Sequence, residues 1–275
     1  MIKVNLVFAI ILLSSSFLYP QGTDSILQKI NYHFQETVIT QYHPSFRAKY
    51  SGLNSLNSEK EAATSLTSTV FIGLNILKGT DIYFNPELSG GTGLSGTTGI
   101  AGYPNGEVYR IGNPSPGIIV GRLFLRKTIG LGGPDEKIDD DLNQLTSYVN
   151  RKRITFTLGK FSLSDIFDCN AYSHDPRTQF MNWALMSSAA WDYPADTKGY
   201  TYALAIEYNH PDFALRGSFA SVVKDANGLV FDTNLKNAFG VVIEFEKNLM
   251  LTTGMEQYEF YFSRTGREWA TIMKQ

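Results

Sequence analysis

The chain carries little charge and a single cysteine. It has no apolar run long enough for a spanning helix. Charged residues make 18% of 275, where an average soluble domain has about a quarter. The 24 Lys and Arg stand against 26 Asp and Glu, a net charge of −2. No basic excess is there to meet nucleic-acid phosphates. The lone Cys169 excludes a disulfide framework and a four-cysteine zinc site. His33, His43, His174 and His210 show no metal spacing, and one cysteine near one histidine makes no ligand set. No metal or cofactor is therefore expected. The chain has no Gly-x-Ser-x-Gly elbow. Its Gly90 to Gly106 stretch lacks the Gly-Lys-Ser/Thr end of a phosphate loop and reads as a long, flexible loop. A mean hydropathy of −0.14 is too polar for a helical membrane bundle. It leaves room for a membrane β-barrel, whose strands show lipid only every second residue. Aromatic residues at 13% exclude a mainly disordered chain.

The N-terminus reads as a secretory signal over residues 1–22. A basic start, Met1-Ile2-Lys3, precedes an apolar run from Val4 to Leu13 broken only by Asn5. Ser14, Ser15 and Ser16 follow. Cleavage fits after Ser16 or after Gly22. The run falls short of the ~20 residues that would anchor it across a bilayer, so export is expected.

What is abundant is alternation. In Leu66–Ile76, Leu66, Val70, Ile72, Leu74 and Ile76 share one face, and Thr67, Thr69, Phe71 and Asn75 the other. Ile119, Leu123, Leu125 and Ile129 oppose Arg122, Phe124, Arg126 and Thr128. Ile154, Phe156 and Leu158 oppose Thr155, Thr157 and Gly159. Tyr200, Tyr202, Leu204, Ile206 and Tyr208 oppose Thr201, Ala203, Ala205 and Glu207. After Asn209-His210-Pro211-Asp212, the run Phe213, Leu215, Gly217 and Phe219 opposes Ala214, Arg216, Ser218 and Ala220, which predicts a hairpin. Phe239, Val241, Ile243 and Phe245 oppose Gly240, Val242, Glu244 and Glu246. Weaker strands are expected in Asn31–Gln41, Asp81–Leu88 and Met255–Phe262. Strands of about ten residues, tilted ~45°, span a bilayer core. A soluble sandwich alternates too. Two features favour a barrel. Tyr200, Tyr208, Phe213 and Phe219 sit at strand ends like an interfacial girdle. Arg122, Arg126, Glu207, Arg216 and Glu244 sit mid-strand, which suits a wet lumen rather than a dry core.

The long segment from Ser162 to Ala195 holds the densest chemistry, and long loops are commonly where function sits. Asp165 and Asp168 are three apart, a spacing that two carboxylates for acid–base work on a sugar would share. Aspartates that cap turns and line a wet loop explain them better, so no enzyme is expected. Trp183, Trp191, Tyr172 and Tyr193 lie in sequence near Asp192, Asp196, Asn170, Asn182 and Arg177. Aromatic faces pack on the apolar faces of sugars, while amides, carboxylates and arginine bond adjacent hydroxyls. The same groups would also satisfy one another if the loop packed inside a barrel, and composition does not separate the two.

At these residues the chain resembles the carbohydrate-selective outer-membrane porins of the OprB type. The run Gly159-Lys160-Phe161-Ser162-Leu163-Ser164-Asp165-Ile166-Phe167-Asp168, its continuation Asn170 to Trp183, and Ala190 to Tyr200 are similar to the family's central motif. Tyr32 to Gln35 with Thr37, Tyr50 to Leu56, Asn85-Pro86-Glu87 and Gly130 to Gly133 also resemble family segments, so the likeness runs from Asn31 to Lys247. Cys169 departs from the asparagine expected there. The resemblance implies an all-β antiparallel transmembrane barrel of about sixteen strands with a narrowed channel for passive sugar uptake. It implies a constriction of Glu87, Arg122, Arg126, Lys160 and Arg216 on the wall, with Asp165, Asp168 and Asn170 from a loop folded inward over 162–195. Carbohydrate solutes, outer-membrane lipid and the barrel-assembly machinery are the partners it implies, at the bacterial outer membrane.

We count about nine strands, an incomplete barrel. The tail from Met255 to Gln275 reads as aberrant. In the shifted frame its codons force glycine from Met255-Glu256 and from Trp269-Ala270, and glutamate from Met273-Lys274. They also permit a continuation similar to what porins of this family carry next. A frameshift near Gly254 is therefore expected, with barrel sequence over 23–254; the alternative to a sugar porin is a non-functional truncated fragment of one.

Overall fold

The computed structural model describes residues 29–108, 115–170, 172–187, 191–225, 228–235, 238–251, 254–265 and 268–274, without side-chain detail at 99–100 and 248–274. The export segment lies outside these residues.

Ten strands form one antiparallel sheet in which each pairs with its sequence neighbour along the sheet. They are β1 (Ile30–His43), β2 (Glu61–Leu77), β3 (Thr80–Gly91) and β4 (Gly117–Gly130), then β7 (Arg153–Phe161), β8 (Thr201–His210) and β9 (Phe213–Ala220), then β10 (Gly240–Leu251), β11 (Gly254–Thr265) and β12 (Glu268–Lys274). A separate hairpin, β5 (Asp135–Ile138) and β6 (Ser147–Asn150), sits between β4 and β7. All of the strong and weak strand expectations fall on members of the large sheet. Among the described residues, β1 and β12 are its two edges and are not paired with each other. No described helix is long and apolar enough to cross a membrane, which says nothing of strands.

The sheet is inside out by the standards of a soluble protein. Val38 (59%), Leu123 (50%) and Leu158 (58%) stand exposed on one face. Thr69 (0%), Thr157 (1%) and Glu244 (0%) are buried on the other. A sandwich would bury the first set and wet the second. A barrel wall, with lipid outside and a polar interior, requires the observed arrangement.

Two sequence readings are corrected by local geometry. The β3–β4 register slips, Asn85 facing Arg122 but Pro86 facing Val120. Gly121 is the extra residue of this bulge, placed beside a proline with no N–H to offer the ladder. The slip turns Ile118 (79%) and Val120 outward and leaves Ile119 half-buried, so Ile119 does not share a face with Leu123. Tyr200 is not a girdle residue either. It precedes β8, is buried, and points into the polar side, where Gly121 gives its ring room: a Cβ there would lie 3.1 Å from the ring.

Connections differ in length at the two ends of the sheet. Residues 78–79 and 211–212 make tight turns at one end. The segments 44–60, 92–116, 162–200 and 221–239 cross over at the other. The exception is 131–152, a long connection at the short-turn end.

Candidate functional site

The site is built where the 162–200 segment lies on the polar face of the sheet. The segment enters through a one-turn 3-10 helix, Leu163–Asp165, closed by a reciprocal cap between Ser162 and Asp165. The Asp165 carboxylate accepts from the Ser162 N–H at 3.1 Å. That turn aims Leu163, Ile166 and Phe167 at the wall, all of them buried with Phe161, Phe124 and Val242. Ala203, Ala205 and Ala220 on β8 and β9 are small enough to let these side chains in.

Polar anchors then fix the loop. Arg122 of β4 donates two bonds to Asp165, from Nε at 2.7 Å and Nη2 at 2.6 Å, a planar fork on a carboxylate. The Asp168 N–H donates to Glu244 at 2.8 Å. Asp168 is itself fully buried and holds a positive φ of 57°. It is an anchor of the loop, out of reach of a solute. Asn170 uses its side-chain oxygen to cap the Tyr172 and Ser173 N–H groups. Arg177 pairs with Glu107 at 2.6 Å and donates to Gln35 at 2.5 Å. It thereby ties the loop to the 92–116 connection and to β1. Burial pushes the Glu107 carboxyl above its ordinary range while Arg177 draws it back. Burial likewise holds the Lys198 ammonium below its ordinary value.

Tyr200 closes the segment. Its hydroxyl donates to Glu87 at 2.8 Å, and Thr69 donates to the same carboxylate oxygen at 3.0 Å. The Arg122 guanidinium and the Lys160 ammonium lie 5.1 and 5.6 Å from the centre of the Tyr200 ring, close enough for cation–π attraction. Lys160 also donates to the Val120 carbonyl at 3.1 Å and lies 3.7 Å from Asp196. Tyr200→Phe is expected to lower stability by about 1–3 kcal/mol, because it removes a buried donor to a charged acceptor. The urea midpoint of the folded protein measures it; Gly121→Ala, which crowds the same ring, is expected to lower it as well.

A cavity of about 1260 Å³ remains between loop and wall. Glu87, Arg122, Arg126, Asp165, Arg177, Trp183, Trp191 and Asp192 line it. Lys160, Asp168, Asn170 and Arg216 do not. Arg216 sits in its own cluster, paired with Glu244, with Glu246 at 2.7 Å and with Glu207 at 3.5 Å. Trp191 is buried against Tyr193, ring centres 5.0 Å apart, and presents little face to the cavity. Sequence reasoning missed Glu107, Gln35 and the 141–144 stretch, which also reach the cavity. No motif marks them; only the fold brings them there.

Asp165 and Asp168 turn to different partners. Asp165 is spent on Arg122 and Asp168 on structure. What the arrangement offers is fixed charges, amides and aromatic edges around one cavity, side-chain types that can bond hydroxyl groups.

Comparison with known proteins bears on this reading. The family model described as carbohydrate-selective porin, OprB family, matches residues 66–262. The solved high-pH structure of Pseudomonas putida OprB is similar in fold, with a TM-score of 0.54 at 13% identity. The alignment covers 86% of this chain and 52% of that one, so the chain spans about half its length. No curated protein matches the chain.

Proposed function

Because the chain belongs to the carbohydrate-selective porin family, OprB, we propose that it forms the wall and the constriction of a water-filled channel for passive, selective diffusion of carbohydrates. Porins of this family are outer-membrane channels and not enzymes. One observation supports the channel reading above the rest. The sheet exposes leucine and valine on one face and lays a charged, hydrogen-bonded loop on the other. The loop narrows the polar side without filling it, and the 1260 Å³ cavity is what remains. In this reading Glu87, Arg122, Arg126, Arg177, Trp183 and Asp192 contact the solute. Lys160, Asp165, Asp168, Asn170, Trp191 and Arg216 hold those contacts in place. Short turns face the periplasm and long connections the exterior, as in outer-membrane barrels generally. Lipid covers the apolar face, and the barrel-assembly machinery inserts the exported chain.

The test is conductance. The folded protein in planar lipid bilayers is expected to give steady channels. Their ion current should fall as glucose or maltose is raised and recover on washing. Channels indifferent to sugar would overturn the selectivity. Absence of channels would overturn the proposal that this chain makes a pore by itself.

A further inference from the structure

The cavity has a floor as well as a roof, and the floor comes from the opposite end of the sheet. Residues 131–152 leave at the short-turn end, form the β5–β6 hairpin, and send their tip back toward the polar face. Three attachments hold the tip. Leu145 is buried in the same apolar cluster as Phe167, and its N–H donates to the Tyr83 hydroxyl at 3.3 Å. The Asn143 carbonyl accepts from Arg126 at 2.9 Å, and Arg126 lies over the stacked rings of Tyr83 and Phe124. Asp140 is gripped by β1: Asn31 donates to it at 2.7 Å, and the His33 ring nitrogen lies 3.3 Å from its other oxygen. Asn31 donates also to the Gln144 carbonyl at 2.9 Å.

The consequence is a single cavity lined by segments from both ends of the sheet. Asp141, Leu142, Asn143 and Gln144 line it together with Arg122 and Asp192. A short-turn end needs no inward segment to close a hairpin; two residues suffice elsewhere in this sheet. We propose that the tip at 139–146 is a second selectivity element at the periplasmic mouth. It acts in series with the 162–200 loop, and its Asp141 carboxylate and backbone groups contact hydroxylated solutes as they leave. This inference rests on the channel reading above. Arg126 is the shared part. It lines the cavity wall, and it positions the tip through the Asn143 carbonyl.

Thiol labelling in the bilayer tests it. Leu142→Cys is made in a Cys169→Ser background, since Cys169 is itself exposed. Leu142 is 39% exposed, so the substitution leaves the apolar cluster intact. Asp141→Cys in the same background is the second variant. A cationic methanethiosulfonate reagent is added from either side, and mass spectrometry confirms labelling. The expected result is a fall in single-channel current of at least about half, reached faster from the short-turn side. Complete labelling with unchanged current overturns the inference alone, as does failure of both cysteines to react in conducting channels. If the unsubstituted protein forms no channel, the channel reading fails and this inference falls with it.

Discussion

Arg216→Met is expected to cost about 3–5 kcal/mol of stability. The register explains the size. Glu207 on β8, Arg216 on β9 and Glu244 on β10 occupy one row across three strands. Glu246 reaches the same guanidinium from the next inward position. Cross-strand neighbours on one face are the unit of sheet stabilisation, and here one cation serves three anions. Its removal takes the shared guanidinium away from Glu244, which is at 0% exposure, and from the two carboxylates beside it. Glu244 is also the acceptor for the Asp168 N–H. Strain in the row therefore passes to the loop. The urea midpoint of the folded protein measures the loss, and retention of the heat-modifiable gel form shows whether a barrel assembles. Glu244→Gln added to Arg216→Met is expected to recover part of the loss, since it removes the most buried charge and keeps an amide oxygen for Asp168. Equal midpoints for single and double variants would place the damage elsewhere.

The same row shows what the sequence makes legible. Side chains alternate across a strand with period two, so Arg216 and Glu244 could be assigned to the polar face from spacing alone. The assignment of Thr67, Thr69 and Phe71 against Val70 and Leu74 holds for the same reason. Legibility ends where one residue breaks the period. Gly121 is such a residue, and the bulge it makes reverses every inference drawn across it. It ends also where the deciding contact is remote. Tyr200 continues the outward parity of β8, yet a carboxylate 113 positions away draws it inward. The Asp140 tip is held by an asparagine 109 positions away. Neither contact leaves a local trace. The loop's central run was legible as dense chemistry, but the division between residues that face the cavity and residues that anchor the loop was not. Asp165 and Asp168 look alike in sequence. One pairs with Arg122 at the cavity, and the other disappears beneath the loop.

Asp165→Ala is expected to raise single-channel conductance by about twofold or more and to weaken its block by sugar. Two restraints depend on this carboxylate. It receives the Arg122 fork, and it caps the turn that starts the inward segment. Loss of a cap alone costs about 1 kcal/mol, and a bidentate pair whose carboxylate is 24% exposed at the cavity adds to it. Leu163 and Phe167 remain buried, so the segment loosens without leaving the wall. Arg122→Ala is expected to do less to the loop, because Asp165 keeps the Ser162 cap and can be hydrated from the cavity. It is expected to do more to the sugar block, because the guanidinium beside Tyr200 is itself a cavity-lining group. The two variants therefore separate the loop's position from the contact it presents. Conductance reports the first, and the sugar concentration for half-block reports the second. Identical changes in both readouts for both variants would mean that Arg122 and Asp165 act only as one strut, and that the solute does not meet the arginine.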